Sequence, residues 1–132
     1  MNKKNSSVIL KNGFNQYKDL SNIFHNFRNN LDTLNKKKYL VAVSGGPDSL
    51  ALVALSKAYA FSKKIKFYYV LVDHNIRKNS SNEALKVKKL LKKKNISLKV
   101  FVNKKKITKN IQAEARKTRY DILSNYCKKK KY

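Results

Sequence analysis

Tyr39-Leu-Val-Ala-Val-Ser-Gly-Gly-Pro-Asp-Ser-Leu-Ala-Leu-Val-Ala-Leu55 is the stretch that decides the fold. Residues 39–43 are a short apolar run rich in β-formers. Residues 50–61 are an apolar run too long and too rich in Ala and Leu for a strand. Between them sit two of the chain's three glycines and its only proline. Strand, glycine turn and helix N-terminus in succession make an anion site. The first N–H groups of a helix have no partner inside it, and the helix dipole adds partial positive charge there. Gly45 and Gly46 let the backbone approach a phosphate closely, and Pro47 suits the first helical position, where a missing N–H costs nothing. Ser44 and Ser49 carry hydroxyls able to donate to phosphate oxygens. Asp48 would repel a phosphate directly, so its carboxylate makes sense there through a metal such as Mg2+.

On the N-terminal side, Phe14, Tyr17, Leu20 (or Ser21), Phe24, Phe27, Leu31 and Leu34 recur at spacings of three and four. This predicts an amphipathic helix over 14–34, with Ser21 as the place for a break, packed against the sheet ahead of the first strand. Residues 1–12 are polar and expected to fray, His25 reads as a surface or packing residue, and 36–38 is a solvated lysine turn.

On the C-terminal side, the helix entered at Ser49 is apolar nearly all round and is predicted to be buried. Residues 66–72 read as a second strand whose near-continuous apolar run suits a parallel strand covered on both faces. Asp73-His-Asn-Ile-Arg77 follows at its carboxyl end, the edge where ligands bind in open α/β sheets. The plainer alternative is that Asp73 and His74 bond the turn backbone. Ser80-Ser-Asn-Glu83 has the pattern of a capping box. It would open a helix to about residue 94 with Ala84, Val87, Leu90 and Leu91 inward and lysines outward. Residues 96–102 form a third strand and 103–108 a loop. A last helix over 110–128 carries Ile111, Ala115, Ile122 and Tyr126 on one stripe. Arg116 and Arg119 are i, i+3 neighbours on it, so their guanidinium groups can converge. The tail 128–132 is a charge run with no structure assigned. Helices alternating with short apolar strands imply an α/β fold with a right-handed parallel sheet.

The length of 132 residues suits one domain with a sizeable core. There is no run of the roughly 18 apolar residues that a membrane helix needs, and residues 8–10 are too short for a signal-peptide core. A single cysteine, Cys127, rules out an internal disulfide or a cysteine metal cluster, so a cytoplasmic protein is expected. The net charge is +25, which predicts strong, salt-sensitive attraction to polyanions such as RNA. Lysine, asparagine and isoleucine are also what an AT-rich coding sequence enriches without any selection for binding. The four arginines, Arg28, Arg77, Arg116 and Arg119, run against that bias and are the more informative cations.

The hexapeptide Ser44-Gly-Gly-Pro-Asp-Ser49 lacks the Lys of a Walker A loop and is not G-x-G-x-x-G. It resembles the S-G-G-x-D-S loop of the PP-loop ATP pyrophosphatases, which bind ATP, transfer AMP to a substrate oxygen and release pyrophosphate. Val72-Asp-His-Asn-Ile-Arg77 with Ser80-Ser-Asn-Glu-Ala84 is similar to the V-D-H-x-L-R … S-x-x-E-A stretch of the tRNA(Ile)-lysidine synthetase family. Asn110-Ile-Gln-Ala-Glu-Ala-Arg-Lys-Thr-Arg-Tyr120 is similar to that family's N-x-x-A-x-A-R-x-x-R-Y helix. The resemblance covers about residues 36–126.

The resemblance implies a doubly wound parallel sheet of the PP-loop, adenine nucleotide alpha hydrolase-like, Rossmann-type fold. Residues 1–38 would be a helical lead-in and 39–132 the ATP-binding domain. It also implies a two-step reaction. ATP adenylates O2 of the wobble cytidine of a tRNA(Ile) with a CAU anticodon, and the amine of free L-lysine then attacks C2 and expels AMP. Ser44, Gly45, Gly46, Pro47, Asp48 and Ser49 would cradle the ATP phosphates, and Asp48 would hold Mg2+. Asp48 and Arg116 would be the catalytic pair, with Arg119 the second-ranked cation. Asp73, His74 and Arg77 would lie near the nucleoside. Complete members are expected to be homodimers. The family continues into a fourth strand and an H-x-x-D-D-x-x-E-T stretch that this sequence lacks. A C-terminally truncated domain, without lysidine-forming activity by itself, is therefore expected. Two alternatives stay open: another PP-loop tRNA-modifying or amide-forming ligase, and an inactive basic nucleotide- or RNA-binding remnant. A thiolase of the two-thiocytidine type should carry a C-x-x-C pair, and this chain has only Cys127.

Overall fold

The structure is a computed structural model that describes residues 18–132. Phe14, Tyr17 and the polar stretch 1–12 lie outside the described residues. Helix α1 (Lys18–Leu34) leads into β1 (Lys38–Ala42), α2 (Pro47–Ser62), β2 (Lys66–Asp73), α3 (Ser80–Lys92), β3 (Leu98–Val102) and α4 (Ile111–Lys130). The α/β alternation expected from the sequence is present. Helix α1 runs through Ser21 without a break.

The strands form one sheet in the order β1-β2-β3. Strands β2 and β3 are parallel, with Tyr69 opposite Leu98 and Asp73 opposite Val102. Strand β1 runs the same way: Lys66 N–H donates to Lys37 O at 3.0 Å and Val43 N–H to Val70 O at 2.8 Å, so partner numbers rise together. The near-continuous apolar run of β2 follows from its central place, where Tyr69, Val70 and Leu71 are all buried. All three strands therefore end at one carboxyl edge, where Asn103 N–H closes onto Asp73 O at 2.8 Å.

The described residues divide into two compact units, 18–39 with 51–67, and Leu40–Leu50 with Tyr68–Tyr132. In the first, the Phe27 ring meets Tyr59 edge-on at 6.2 Å, and Tyr39 stacks on Phe67 at 5.3 Å. The Tyr39 hydroxyl donates to Leu31 O at 3.1 Å, tying α1 to the start of β1. Helix α2 departs from its expected all-round burial. Val53, Ser56, Ala58 and Tyr59 are buried, while Ala51, Leu52 and Phe61 are exposed. Apolar composition reports a preference for leaving water, and neighbours cover only one face of this helix.

In the second unit the core is Val41, Val43, Tyr69, Val70, Leu71, Ala84, Leu91, Ile96 and Leu98. Ala84, Val87 and Leu91 make the α3 seam at spacings of three and four. Leu90, expected inward, sits one position off it and is 46% exposed. The expected capping box does not form. Asn79 is the N-cap, without a side-chain cap bond, and the Glu83 carboxylate instead accepts from Arg77 at 3.0 Å. Ser81 donates to Asp73 at 3.1 Å, so the first turn of α3 is bonded to the end of β2 rather than to itself.

No residue of α4 is buried. Aromatic contacts hold the C-terminal half: Phe101 meets Tyr126 at 5.1 Å and Tyr68 stacks on Tyr132 at 4.3 Å. The tail is therefore not the featureless charge run expected of it. The helix continues to Lys130, Lys131 takes φ 56°, and Tyr132 N–H returns to Cys127 O at 3.1 Å.

Candidate functional site

The loop between β1 and α2 is organised on one hydroxyl. Ser49 Oγ accepts from the N–H groups of Ser44 and Gly45 at 3.1 Å each and from Ser44 Oγ at 3.1 Å, and it donates to Gly46 O at 3.0 Å. Ser44 Oγ in turn accepts from Gly46 N–H at 3.3 Å. Both hydroxyls assigned to phosphate oxygens are thus engaged inside the loop. Pro47 is the first helical residue, as its missing N–H favours. Gly45 has φ +90°, and a Cβ built there would stand 2.7 Å from Val87 Cγ2. Two independent constraints therefore demand glycine at 45. At Gly46 a Cβ would meet only Ser44 Oγ, at an ordinary 3.5 Å. The packing around it does not require that glycine.

Beside the loop, at the carboxyl edge of the sheet, lies a cavity of about 780 Å³. Ala42 lines it from β1 with Val43 and Ser44 just after it, residues 70–77 from β2 and the turn after it, Ser80, Glu83 and Val87 from α3, and Arg119, Tyr120 and Leu123 from α4. Asp73, 4% exposed, accepts from Asn75 N–H at 2.8 Å and from Ser81 Oγ at 3.1 Å. Burial acts to raise its carboxyl pKa. The bond from Asn75 N–H, the nearby Ser80 and Ser81 hydroxyls and the adjacent His74 outweigh burial and hold it below 3.8. Burial, and then the positive charge of Arg119, lower His74 from 6.5 against the pull of Asp73, so the imidazole is neutral at pH 7. His74 Nδ1, Ser80 Oγ and Asn103 Nδ2 are buried without a hydrogen-bond partner. Ser80 is near enough to Asp73 to favour its anion, yet makes no well-formed bond to it. Each such group costs about 1–3 kcal/mol. Three such groups lie at one sheet edge, two of them in residues that line the cavity.

A family model of the PP-loop domain matches residues 16–132 of this sequence. The chain belongs to the PP-loop domain family. Membership implies ATP binding. Among curated proteins, this PP-loop chain is 39% identical over 113 residues to the tRNA(Ile)-lysidine synthase of Orientia tsutsugamushi (strain Boryong), covering 80% of the chain and 25% of that protein. It is 35% identical over 106 residues to the protein of the same name from Rickettsia typhi (strain ATCC VR-144 / Wilmington), covering 78% and 24%. Identity to the one from Rickettsia africae (strain ESF-5) is 34% over 106 residues, covering 78% and 22%. The chain spans about a quarter of the length of these relatives. Among the described residues no helix is long and apolar enough to cross a membrane.

The PP-loop domain distributes the residues singled out from the sequence unevenly. Ser44, Asp73, His74 and Arg77 line the cavity, whereas Gly45, Gly46, Pro47, Asp48 and Ser49 do not. Arg119 lines it and Arg116 does not. Their guanidinium carbons lie 5.8 and 5.5 Å from the Tyr120 ring centre, so the two arginines converge as the i, i+3 spacing allows. Asp48 is exposed in the first turn of α2. Among the described residues no three His, Cys, Asp or Glu side chains assemble a metal site. A single loop carboxylate still fits Mg2+, which takes one or two carboxylates and completes its shell with phosphate oxygens and water. Sequence reasoning missed Ser80, read as a cap, and Tyr120, quoted only as the end of a motif. Their spacing carried no signal, because only the tertiary fold brings 80 and 120 to the cavity of residues 73–77.

Proposed function

We propose that this chain supplies the ATP site of an AMP-forming carbon–nitrogen ligase of the tRNA(Ile)-lysidine synthetase type, with residues 39–132 as the nucleotide domain. The observation that carries this reading is the 44–49 loop, with its obligatory Gly45, set beside a cavity whose wall holds unpartnered polar groups. The names of the relatives, tRNA(Ile)-lysidine synthases, support a tRNA substrate for this reading.

In this reading the ATP phosphates lie on the loop and the nucleoside reaches from Ser44 into the cavity, toward His74 and Ser80. O2 of the wobble cytidine attacks the α-phosphorus, the bond to the β-phosphate oxygen breaks, and pyrophosphate leaves. The amine of free lysine then attacks C2, the C2–O2 bond breaks, AMP leaves and the amine loses its proton. Asp48 would hold Mg2+, which when bound neutralises phosphate charge. Arg119, on the cavity wall, and Arg116 beside it stabilise charge growing on the α-phosphate. Ser49 shapes the loop, and ligand entry exchanges its internal hydrogen bonds for bonds to phosphate.

The test uses a full-length relative carrying the same loop. Asp48→Ala should abolish ATP-dependent pyrophosphate release while leaving the circular dichroism spectrum unchanged. Pyrophosphate release at the wild-type rate would defeat the proposal.

A further inference from the structure

We propose that Tyr120, with Arg116 and Arg119 beside it, is a stacking platform for an unpaired base of an RNA strand at the mouth of the cavity. This deepens the reading above and rests on its RNA substrate.

Tyr120 is 56% exposed on α4 while also lining the cavity. An aromatic ring left half open to water has apolar area still to bury. The Arg116 and Arg119 guanidinium carbons stand 5.5 and 5.8 Å from its centre, within cation–π reach, and more than half of the residue's surface is still open to water. Ion pairs among the described residues join Lys63 to Asp32 and Arg77 to Glu83, and neither Arg116 nor Arg119 faces a carboxylate there. Half of the four arginines in a lysine-dominated chain thus meet on one exposed ring. The complement of a half-open ring flanked by two guanidiniums that face no carboxylate among the described residues is a planar group between two anions. A nucleotide in a strand has that form: the base stacks on the ring and the flanking phosphates take the forked guanidiniums.

The geometry selects a single strand. In a duplex both faces of a base are covered by its neighbours, so the ring would find no partner. The lysines, spread over the surface, attract either form through net charge and do not discriminate. Because Ser44 and Tyr120 line the same cavity, a base held on Tyr120 is presented to the cavity entered from the phosphate loop.

The experiment measures fluorescence anisotropy of the chain with a labelled single-stranded RNA and with the same sequence paired as a duplex, at physiological salt. Tyr120→Ala should weaken single-strand binding by about tenfold and leave duplex binding within about twofold. Tyr120→Phe should bind as wild type, because the ring and not the hydroxyl does the stacking. Arg116→Gln and Arg119→Gln should each reduce the salt slope by somewhat less than one counterion. Single-strand affinity unchanged in Tyr120→Ala overturns the platform and leaves the RNA reading standing. Equal losses for both RNAs also overturn it, since charge or folding would then be responsible. A wild-type chain that binds neither RNA ends both readings. Poly-glutamate competing as well as RNA overturns the platform in favour of an acidic protein.

Discussion

Two polar clusters, one in each unit, follow opposite rules. Around Tyr59 the buried hydroxyl is satisfied: it belongs to a 1%-exposed residue and donates to Asp32 Oδ1 at 2.6 Å, and the exposed Lys63 donates to the same oxygen at 2.7 Å. The bond from Lys63, then that from Tyr59, hold the Asp32 carboxyl below 3.8. Burial, then the bond to Asp32, push the Tyr59 phenol up to about 12. At the carboxyl edge of the sheet the accounts stay open, with His74 Nδ1, Ser80 Oγ and Asn103 Nδ2 buried and unpartnered beside a cavity. A perturbed pKa occurs in both clusters and so does not separate them. Satisfaction does: a complete network has no capacity left for a ligand, whereas an incomplete one costs stability until something binds.

The sharpest way to break this contrast is at the loop. Gly45→Ala forces a side chain at φ +90° and 2.7 Å from Val87 Cγ2. It should cost roughly 3 kcal/mol and abolish nucleotide binding. Gly46→Ala should leave the urea midpoint unchanged and weaken only nucleotide binding. Equal midpoints for the two variants would remove the distinction drawn between these glycines. Next in size is Tyr59→Phe, which opens the closed cluster. It should lose about 1 kcal/mol, the ordinary worth of one internal hydrogen bond, with nucleotide affinity unaffected by calorimetry.

Acid should act on the open edge. The folded-state pKa of His74 lies below 6.5, so between that value and 6.5 the unfolded chain holds more protons than the folded one. The stabilisation is present above pH 6.5 and fades as pH falls through that window. Asp73 adds the same sign below 3.8. Urea midpoints compared between about pH 7.5 and about pH 5.5 should fall, and His74→Gln should flatten the fall. An equally steep fall in the variant would place the effect elsewhere. The smallest loss of stability is expected of Ser80→Ala. Deleting a hydroxyl that costs about 1–3 kcal/mol while it has no partner should leave the urea midpoint unchanged or raised, while nucleotide affinity drops several-fold. A large loss of stability would mean that the hydroxyl is satisfied after all and that the edge resembles the Tyr59 cluster.

Much of this was legible in the sequence because the responsible interactions are local. Strand, loop and helix over 39–61, the central apolar strand and Pro47 at a helix start follow from the propensities and backbone limits of adjacent residues. The loop itself is spelled in six consecutive residues. Where the reading of the chain failed, a distant partner had intervened. Glu83 has the spacing of a capping box with Ser80 but bonds Arg77, while the neighbouring Ser81 is held by Asp73. Tyr132 ends a lysine run and nevertheless packs on Tyr68.

The sequence alone determined the order of elements, the parallel α/β class and the position of the loop, since hydrophobic period and turn chemistry are properties of neighbouring residues. Only the tertiary structure decided that Val87 stands against a side chain at Gly45, and that Ser44, His74, Ser80, Arg119 and Tyr120 share one cavity. Those facts depend on distances between residues far apart in the chain, and such distances exist only once the sheet is paired and the helices are packed.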